Sequence, residues 1–487
     1  MNIAIKPRGQ AKQYGRKTDL TALSGKHAPA AARKARVAKA LTLAAMSLGY
    51  VVVQLDVTIV NVAINSIGAD FGGSIADLQW IVNAYTIAFA AFILSAGALG
   101  DRLGARRVFI TGFAIFVLAS LACALAPALP VLIAARLCQG IGAAILVPNS
   151  LALLNHAYPQ ESDRHWAVGI WAAGASFSLT AGPLLGGALI ALLGWRSIFL
   201  INLPIGLAGI WLTWRYANET ARIAARKLDI PGQITAVLAL GSLAGATIEG
   251  GERGWGNPLV LIGFASFAVL AALFLAVEFK SKAPMLPLGL FRNRAFSAMS
   301  LTGLLVNIGA YGLIFVFSLY FQRLNHLSPL WTGLAFAPMM AAVLATNLIA
   351  AKVTAAIGAR LTIATGLAVT AASCLALLGL RQGAPYAAVC AQLVGLGGGL
   401  GLLVPPMTST LLGSVAKHYS GIASGVLNAM RQTGSAIGVA LFGSLLGGAG
   451  GFVAGARVAF VIAAALALCA VIATLAGVPR RLKATPP

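Results

Sequence analysis

The chain has 487 residues, of which 59% are hydrophobic and only 10% charged, and its mean hydropathy is +0.87. That excludes an ordinary water-soluble domain, in which about a quarter of the residues are charged. A net charge of +23 would point to nucleic acid in a soluble protein, but here the basic residues follow a topology instead.

Residues 1–38 are basic and have no apolar centre, so they read as a flexible cytoplasmic tail and not as a cleavable signal. Apolar runs then recur between short polar breaks. At about 20 residues per crossing they place spans near 39–63, 78–98, 107–127, 130–152, 166–190, 197–217, 229–247, 257–278, 295–318, 330–350, 358–380, 384–408, 420–446 and 455–478. Alternate loops are basic: Arg102, Arg106 and Arg107; Arg222, Arg226 and Lys227; Lys280, Lys282, Arg292 and Arg294; Lys352 and Arg360. With the basic N-terminal tail and Arg480, Arg481 and Lys483 at the far end, this pattern puts both termini in the cytoplasm and requires an even number of spans. The basic excess reads as orientation and contact with anionic membrane lipids, not nucleic-acid binding.

In the first span, Asp56 is the only acidic residue deep in a helix, and no Asp or Glu follows Glu278. A carboxylate that carries protons therefore has almost no other address. Asp56 also suits a permanent ion pair. Arg136, in the fourth span, lies at matching depth, each about 10 Å from the outer end at 1.5 Å per residue, so the two can meet. Arg136 then either modulates protonation of Asp56 or acts with Gln139 as a static clamp. Between spans two and three, the run from Gly97 to Arg107 sets Asp101, Arg102 and Arg106 among Gly97, Gly100 and Gly104. Glycines let helices and loop approach closely enough to hold such charge against backbone. The fifth span carries Gly182, Pro183, Gly186 and Gly187, a kinkable and closely packable cluster that points to conformational change.

The run Gly104-Ala105-Arg106 after the second span recurs as Gly358-Ala359-Arg360 after the tenth. That repeat divides the chain into six-helix bundles at 39–217 and 295–478. Two inserted helices with their linkers occupy 218–294, and a short cytoplasmic tail covers 479–487. In the thirteenth span, Asn428, Arg431 and Ser435 share one face, and Arg431 reads as a gating residue. Candidate walls of a midplane substrate site are Gln54, Asn61, Trp80, Asn83, Tyr85, Asn149, Trp171, Tyr320, Gln322, Asn347 and Asn428. A cationic amphiphile would find aromatic faces there and Asp56 for its charge. Each aromatic alone equally suits packing or an interfacial belt. The five cysteines have no ligand-like spacing, and there is no phosphate loop, paired carboxylate or His/Cys cluster, so no metal, cofactor or enzyme chemistry is expected.

These runs together resemble the major facilitator superfamily, in its fourteen-span drug:proton antiporter branch. Gly97 to Arg107 resembles the superfamily's loop signature, Arg136 to Gly142 its fourth-helix signature, and Gly182-Pro183 with Gly186-Gly187 its antiporter signature. Leu55 to Ala63, Trp195 to Gly206 and Gly421 to Gly438 resemble runs of the fourteen-span branch. The resemblance implies an all-α polytopic membrane protein with two six-helix bundles plus two inserted helices. It implies efflux of small amphiphilic or cationic compounds from a bacterial cytoplasmic membrane by a monomeric unit, driven by the proton gradient without other cofactors. It further implies that Asp56 couples protons with support from Arg136, and that Asp101 and Arg106 latch the bundles in the outward-open state. Ala105 departs from the signature, which usually has a base there. A narrow-specificity exporter of a metabolite or antibiotic, or a proton:nutrient symporter, would share the fold.

Overall fold

The computed structural model describes residues 28–222, 229–281, 284–380, 385–416, 419–447 and 451–479, and among these it is all-helical. The first half contains α1 (Ala28–Phe71), α2 (Ile75–Leu103), α3 (Ala105–Ala124), α4 (Leu129–Ala157), α5 (Glu161–Leu193), α6 (Ser197–Leu200) and α7 (Asn202–Tyr216). Then come α8 (Ile230–Arg253) and α9 (Pro258–Lys280). The second half contains α10 (Arg294–Leu319), α11 (Pro329–Ile357), α12 (Ala359–Ala376), α13 (Tyr386–Gly413), α14 (Ser420–Leu446) and α15 (Gly451–Gly477).

Among the described residues, twelve segments are long and apolar enough to cross a membrane, taking α6 and α7 as one. The 33-residue α5 and the 27-residue α14 stand outside that set. In α14 the cause is visible: Ser424, Asn428, Arg431, Gln432, Thr433 and Ser435 dilute its apolar content. Two expected boundaries change. The tail expected through residue 38 is already helix from Ala28, because Pro29 opens a stretch of alanine, arginine and lysine, all strong helix formers. The sixth span breaks after Leu200, where the ring of Pro204 cannot accommodate the carbonyl four residues back. Residues 1–27, Arg226, Lys227, Lys282, Arg480, Arg481 and Lys483 lie outside the described residues.

The pairings of the first half recur in the second. Helix α1 packs on α5 and α7, as α10 packs on α14 and α15; α4 packs on α2 and α3, as α13 packs on α11 and α12. The halves meet where α5 packs on α11 and α2 on α14. Of the inserted pair, α8 lies against α2 and α14 while α9 covers α8 and leaves most of its own surface outward. The repeated Gly-Ala-Arg turns are also structural equivalents. Gly104 and Gly358 take φ of +97° and +82°, a region that favours glycine. Arg106 then donates to the Thr213 (3.4 Å) and Trp214 carbonyls in the last turn of α7, and Arg360 to the Leu475 carbonyl in the last turn of α15. Arg106 thereby adds a donor to the Thr213 carbonyl, which also accepts from the Ala217 amide, while the Trp214 and Leu475 carbonyls are last-turn acceptors of the kind that helix ends leave over.

Candidate functional site

Asp56 and Arg136 meet. Both are buried, and one Arg136 Nη donates to Asp56 Oδ2 in an ion pair between α1 and α4. The other carboxylate oxygen, Oδ1, accepts from Gln139 Nε2 at 2.9 Å and from Asn202 Nδ2 at 3.2 Å. Gln139 lies one turn beyond Arg136 on α4, and its Oε1 accepts from the same guanidinium at 2.6 Å. Ser120 of α3 closes the cluster by accepting from Gln139 (2.8 Å) and Asn202 (3.3 Å). Arg136 Nε donates to the Ile81 carbonyl at 3.1 Å, and its plane lies 4.3 Å from the Tyr85 ring centre.

Helices α4 and α7 thus donate to the carboxylate of α1, while α3 and α2 hold the donors through Ser120 and the Ile81 carbonyl. Such a pair is neutral as a unit and can stay in a low-dielectric interior, whereas removing one partner leaves a buried charge at a cost of about 3–5 kcal/mol. Asp56 is wholly enclosed, so in this conformation it offers no surface to a cationic ligand. Gln139 was expected as part of a clamp. Ser120 and Asn202 carry no charge and no spacing that sets them apart from other polar residues of membrane helices. The antiporter-like cluster lies directly alongside: Gly182 faces Thr58, and a Cβ there would fall 2.0 Å from the threonine hydroxyl. Gly186 packs on Ile59, while Gly187 lies against the Pro329 backbone of α11 and Gly333 against the backbone of Pro183. Helix α5 is therefore wedged between the carboxylate-bearing helix and the other half.

At that end the two halves are sealed by side chains bonded to backbone. Gln79 Nε2 donates to the Val439 (2.8 Å) and Ala440 (2.6 Å) carbonyls, Ser318 to the Asn61 carbonyl and Gln322 Nε2 to the Val62 carbonyl (3.0 Å). Arg323 Nε adds a bond to Asn65 Oδ1 at 3.1 Å. Asn61, Tyr320 and Gln322, expected on a cavity wall, thus lie at the closed seam: Gln322 joins the halves through its amide, Asn61 through its backbone carbonyl while its side chain donates to the Val57 carbonyl of its own helix, and Tyr320 is fully buried.

The opposite end opens as a cleft of about 490 Å³ whose walls include Gly97, Asp101, Pro148, Trp171 and Asn428. Of the other expected wall residues, only Asn428 and Trp171 face it. Asn149 clamps α4 to α2 through the Ala96 carbonyl (3.1 Å), and Gly100 makes room for its amide. Trp80 packs on α8 beside Gly245, Tyr85 lies under Arg136, and Gln54 and Asn83 are buried. Asn347 is half-buried on α11. At the turn beside the cleft, Arg102 is exposed, and Arg106 reaches α7 of its own half. Glu219, which no motif singled out, caps α3: its carboxylate accepts from the Arg106 (2.9 Å) and Arg107 (3.3 Å) amides. The Thr220 hydroxyl accepts from the Ala105 amide at 2.9 Å.

Comparison with known proteins agrees with this architecture. The family model described as Major Facilitator Superfamily matches residues 46–439. The chain is 36% identical over 432 residues to the methylenomycin A resistance protein of Streptomyces coelicolor, covering 89% of this chain and 90% of that one. It is 38% identical over 411 residues to the multidrug resistance protein Stp of Mycobacterium tuberculosis, covering 83% and 75%. Among solved structures, a POT family transporter superposes with a TM-score of 0.66 at 14% identity, covering 91% of this chain and 95% of that one. A bacterial homologue of the human lysosomal transporter Spinster, solved inward-facing and unoccupied, gives 0.61 at 17% identity, covering 90% and 97%. The helix pairings, the glycine-built contacts between halves and the family match lead to one conclusion: this chain belongs to the Major Facilitator Superfamily.

Proposed function

We propose that the protein is a proton-coupled exporter of amphiphilic drugs or toxic small molecules, working by alternating access as a monomeric unit in a bacterial cytoplasmic membrane. The observation that carries the reading is the Asp56 cluster, a single mid-depth carboxylate whose ion pair must part before a proton can bind. Its helix is the one that the Gly182–Gly187 cluster ties to the other half, so a change at the seam moves the carboxylate's neighbours. Proton and drug then exclude each other through conformation, each favouring a different state. The sealed seam and the open cleft correspond to the inward-facing state, with the basic loops, Asp101 and both termini on the cytoplasmic side. Helices α5 and α14 complete fourteen spans. Asp101 and Arg106 act at the cytoplasmic end when that end closes.

Relatives named for multidrug resistance and drug efflux support this reading. A narrow-specificity exporter is the second reading, favoured by relatives in two organisms named for resistance to one antibiotic, methylenomycin A. The test is drug accumulation in energised cells lacking their own exporters. The panel includes methylenomycin A, puromycin and a fluorescent amphiphile, for the parent and for Asp56→Asn at equal membrane abundance. Lowered accumulation that both a protonophore and Asp56→Asn abolish is expected. Export insensitive to both overturns proton coupling, and unchanged accumulation of every compound overturns export.

A further inference from the structure

The inserted helices carry a second group of buried acids. Asp229 caps α8, its Oδ1 accepting from the Gly232 amide at 2.9 Å, and Glu278 in the last turn of α9 accepts through Oε2 from the Leu286 amide at 2.9 Å. The two are far apart in sequence, but a Cβ on Gly232 would fall 2.7 Å from Glu278 Oε1 and 3.0 Å from Asp229 Oδ1. Gly232 thus lets the carboxyl groups stand side by side. Only 8% of Asp229 and 3% of Glu278 are exposed.

Capping and anchoring account for one oxygen of each acid. The other two, Asp229 Oδ2 and Glu278 Oε1, are enclosed and have no hydrogen-bond partner among the described residues. No cation among those residues pairs with either acid. On the elements around them, Asp101 of α2 adds a carboxylate to the cleft wall that Asp229 also lines, while Arg102, Lys280 and Arg292 are exposed. Arg431 of α14, expected as a gating residue, lies at the interface with α10, where its side chain passes beside Gly303. Two like charges so close and so enclosed do not persist together, so the pair must take up a positive charge. Because both spare oxygens are enclosed, a proton can reach them and the headgroup of a bound ligand cannot.

We propose that Asp229 and Glu278 share one proton and form a second protonation site, separate from Asp56, in the wall of the cleft. The proton sits on Glu278 Oε1 and is donated toward Asp229, because the N-terminus of α8 favours negative charge on its cap. Water in the open cleft is its source and its sink. The 490 Å³ cleft is lined by Asp229 and by Pro284 and Met285, the residues just before the Leu286 amide that Glu278 holds. A cation entering the cleft favours the ionised pair and expels the proton to water, so one positive charge replaces another. That exchange deepens the exporter reading proposed above and rests on it for its direction.

Infrared spectra of the full chain in zwitterionic nanodiscs test the site, since the chain has only 12 Asp and Glu residues and exposed ones are ionised at neutral pH. The carbonyl band of a protonated carboxyl is expected at neutral pH. It should vanish in Glu278→Gln and in Asp229→Asn, which keep the shape of each side chain and, for asparagine, the cap. Asp56→Asn should keep the band. No such band in the parent, or a band that survives both variants, overturns the site. A proton bound only in the folded state also makes the folded-to-unfolded ratio fall as pH rises, by up to about tenfold per pH unit, and Glu278→Gln should lose that component. Stability that depends instead on sodium or potassium against choline, in the parent and not in Glu278→Gln, assigns the pair to a metal ion and overturns the proton. Adding 1-naphthylmethylammonium should weaken the band and 1-naphthylmethanol should not; equal responses overturn the exchange. Proton-driven drug flux in proteoliposomes separates the two claims. A band from the pair without coupled flux keeps the site and sinks the exporter, while coupled flux without the band does the reverse.

Discussion

The two halves share helix pairings and a turn, yet among the described residues only the first half fully buries charged side chains. In the first half, α1, α3, α4 and α7 surround Asp56, Arg136, Gln139, Ser120 and Asn202 with hydrogen bonds. In the second, equivalent helices meet through glycine: Gly366 and Gly399 contact each other's backbone between α12 and α13, and Gly434 and Gly438 lie against the backbone of α10. Among the described residues, the one buried side-chain-to-side-chain hydrogen bond between its helices is that of Thr302 and Thr474, at 3.2 Å. The duplicated scaffold therefore does not require the ion cluster. One half keeps a chemistry the fold can do without, which argues that the cluster is retained for work and not for shape.

The sharpest way to break that comparison is to unbalance each core. Arg136→Gln leaves Asp56 buried without its cation and should cost about 3–5 kcal/mol. Thr302→Val removes one neutral hydrogen bond and should cost about 1 kcal/mol. Thermal unfolding of purified protein in detergent measures both. Adding Asp56→Asn to Arg136→Gln should restore most of the lost stability, because no uncompensated charge remains, while proton-driven export stays absent. If the double variant is as unstable as Arg136→Gln alone, the cluster is a structural keystone and its role in coupling loses its support.

A second comparison is between the sealed seam and the open cleft. Gly187→Val would place side-chain atoms against the Pro329 backbone, where even a Cβ comes within 2.5 Å of a carbonyl oxygen, and Gly333→Val would do the same against Pro183. Overpacking of this kind costs about 1–3 kcal/mol, which the molecule avoids by populating a state with the seam parted. In a cysteine-free background, Gln322→Cys should then react faster with an impermeant maleimide from one side, and Asn428→Cys more slowly from the other. Opening at one end with no closure at the other would mean that the two ends are not linked.

Part of this architecture is readable in the residues themselves. Depth counting brings Asp56 and Arg136 to one level, and the three-residue spacing of Arg136 and Gln139 puts them on one side of α4. The repeated Gly-Ala-Arg is legible because a positive-φ glycine and a helix-capping arginine are both local requirements. Ser120 and Asn202 are not, since a hydroxyl or amide in an apolar helix serves equally a carbonyl of its own helix, a neighbour or a ligand. Asn61 and Gln322 show that ambiguity: both resemble cavity residues, yet the Asn61 amide serves the Val57 carbonyl of its own helix and the Gln322 amide the Val62 carbonyl across the seam. The break before α7 follows from Pro204, whose effect four residues upstream is masked by the continuous apolar run around it.

The smallest difference between halves lies at the repeated turns. Glu219 caps α3 through two backbone amides, whereas among the described residues no side chain accepts from the first amides of α12 after the matching Gly358. Glu219→Ala should therefore cost about 0.5–2 kcal/mol, as loss of a helix cap does, and speed hydrogen exchange at the amides of residues 105–107 while leaving those of 359–361 unchanged. Glu219→Gln keeps an acceptor and removes the charge, so it should fall between parent and alanine. The Arg107 partner of Glu219 is mostly exposed at 3.9 Å and adds little, which leaves the helix terminus as the main beneficiary of the charge. Arg106→Ala and Arg360→Ala should resemble each other, at about 0.3–1 kcal/mol, since each removes a cation from helix-terminal carbonyls in its own half. A much larger effect of Arg106→Ala on export than on stability would show that this arginine leaves α7 during the cycle and works at the end where the cleft opens. Equal effects of both substitutions on stability and export would confine it to the capping role it shares with its counterpart.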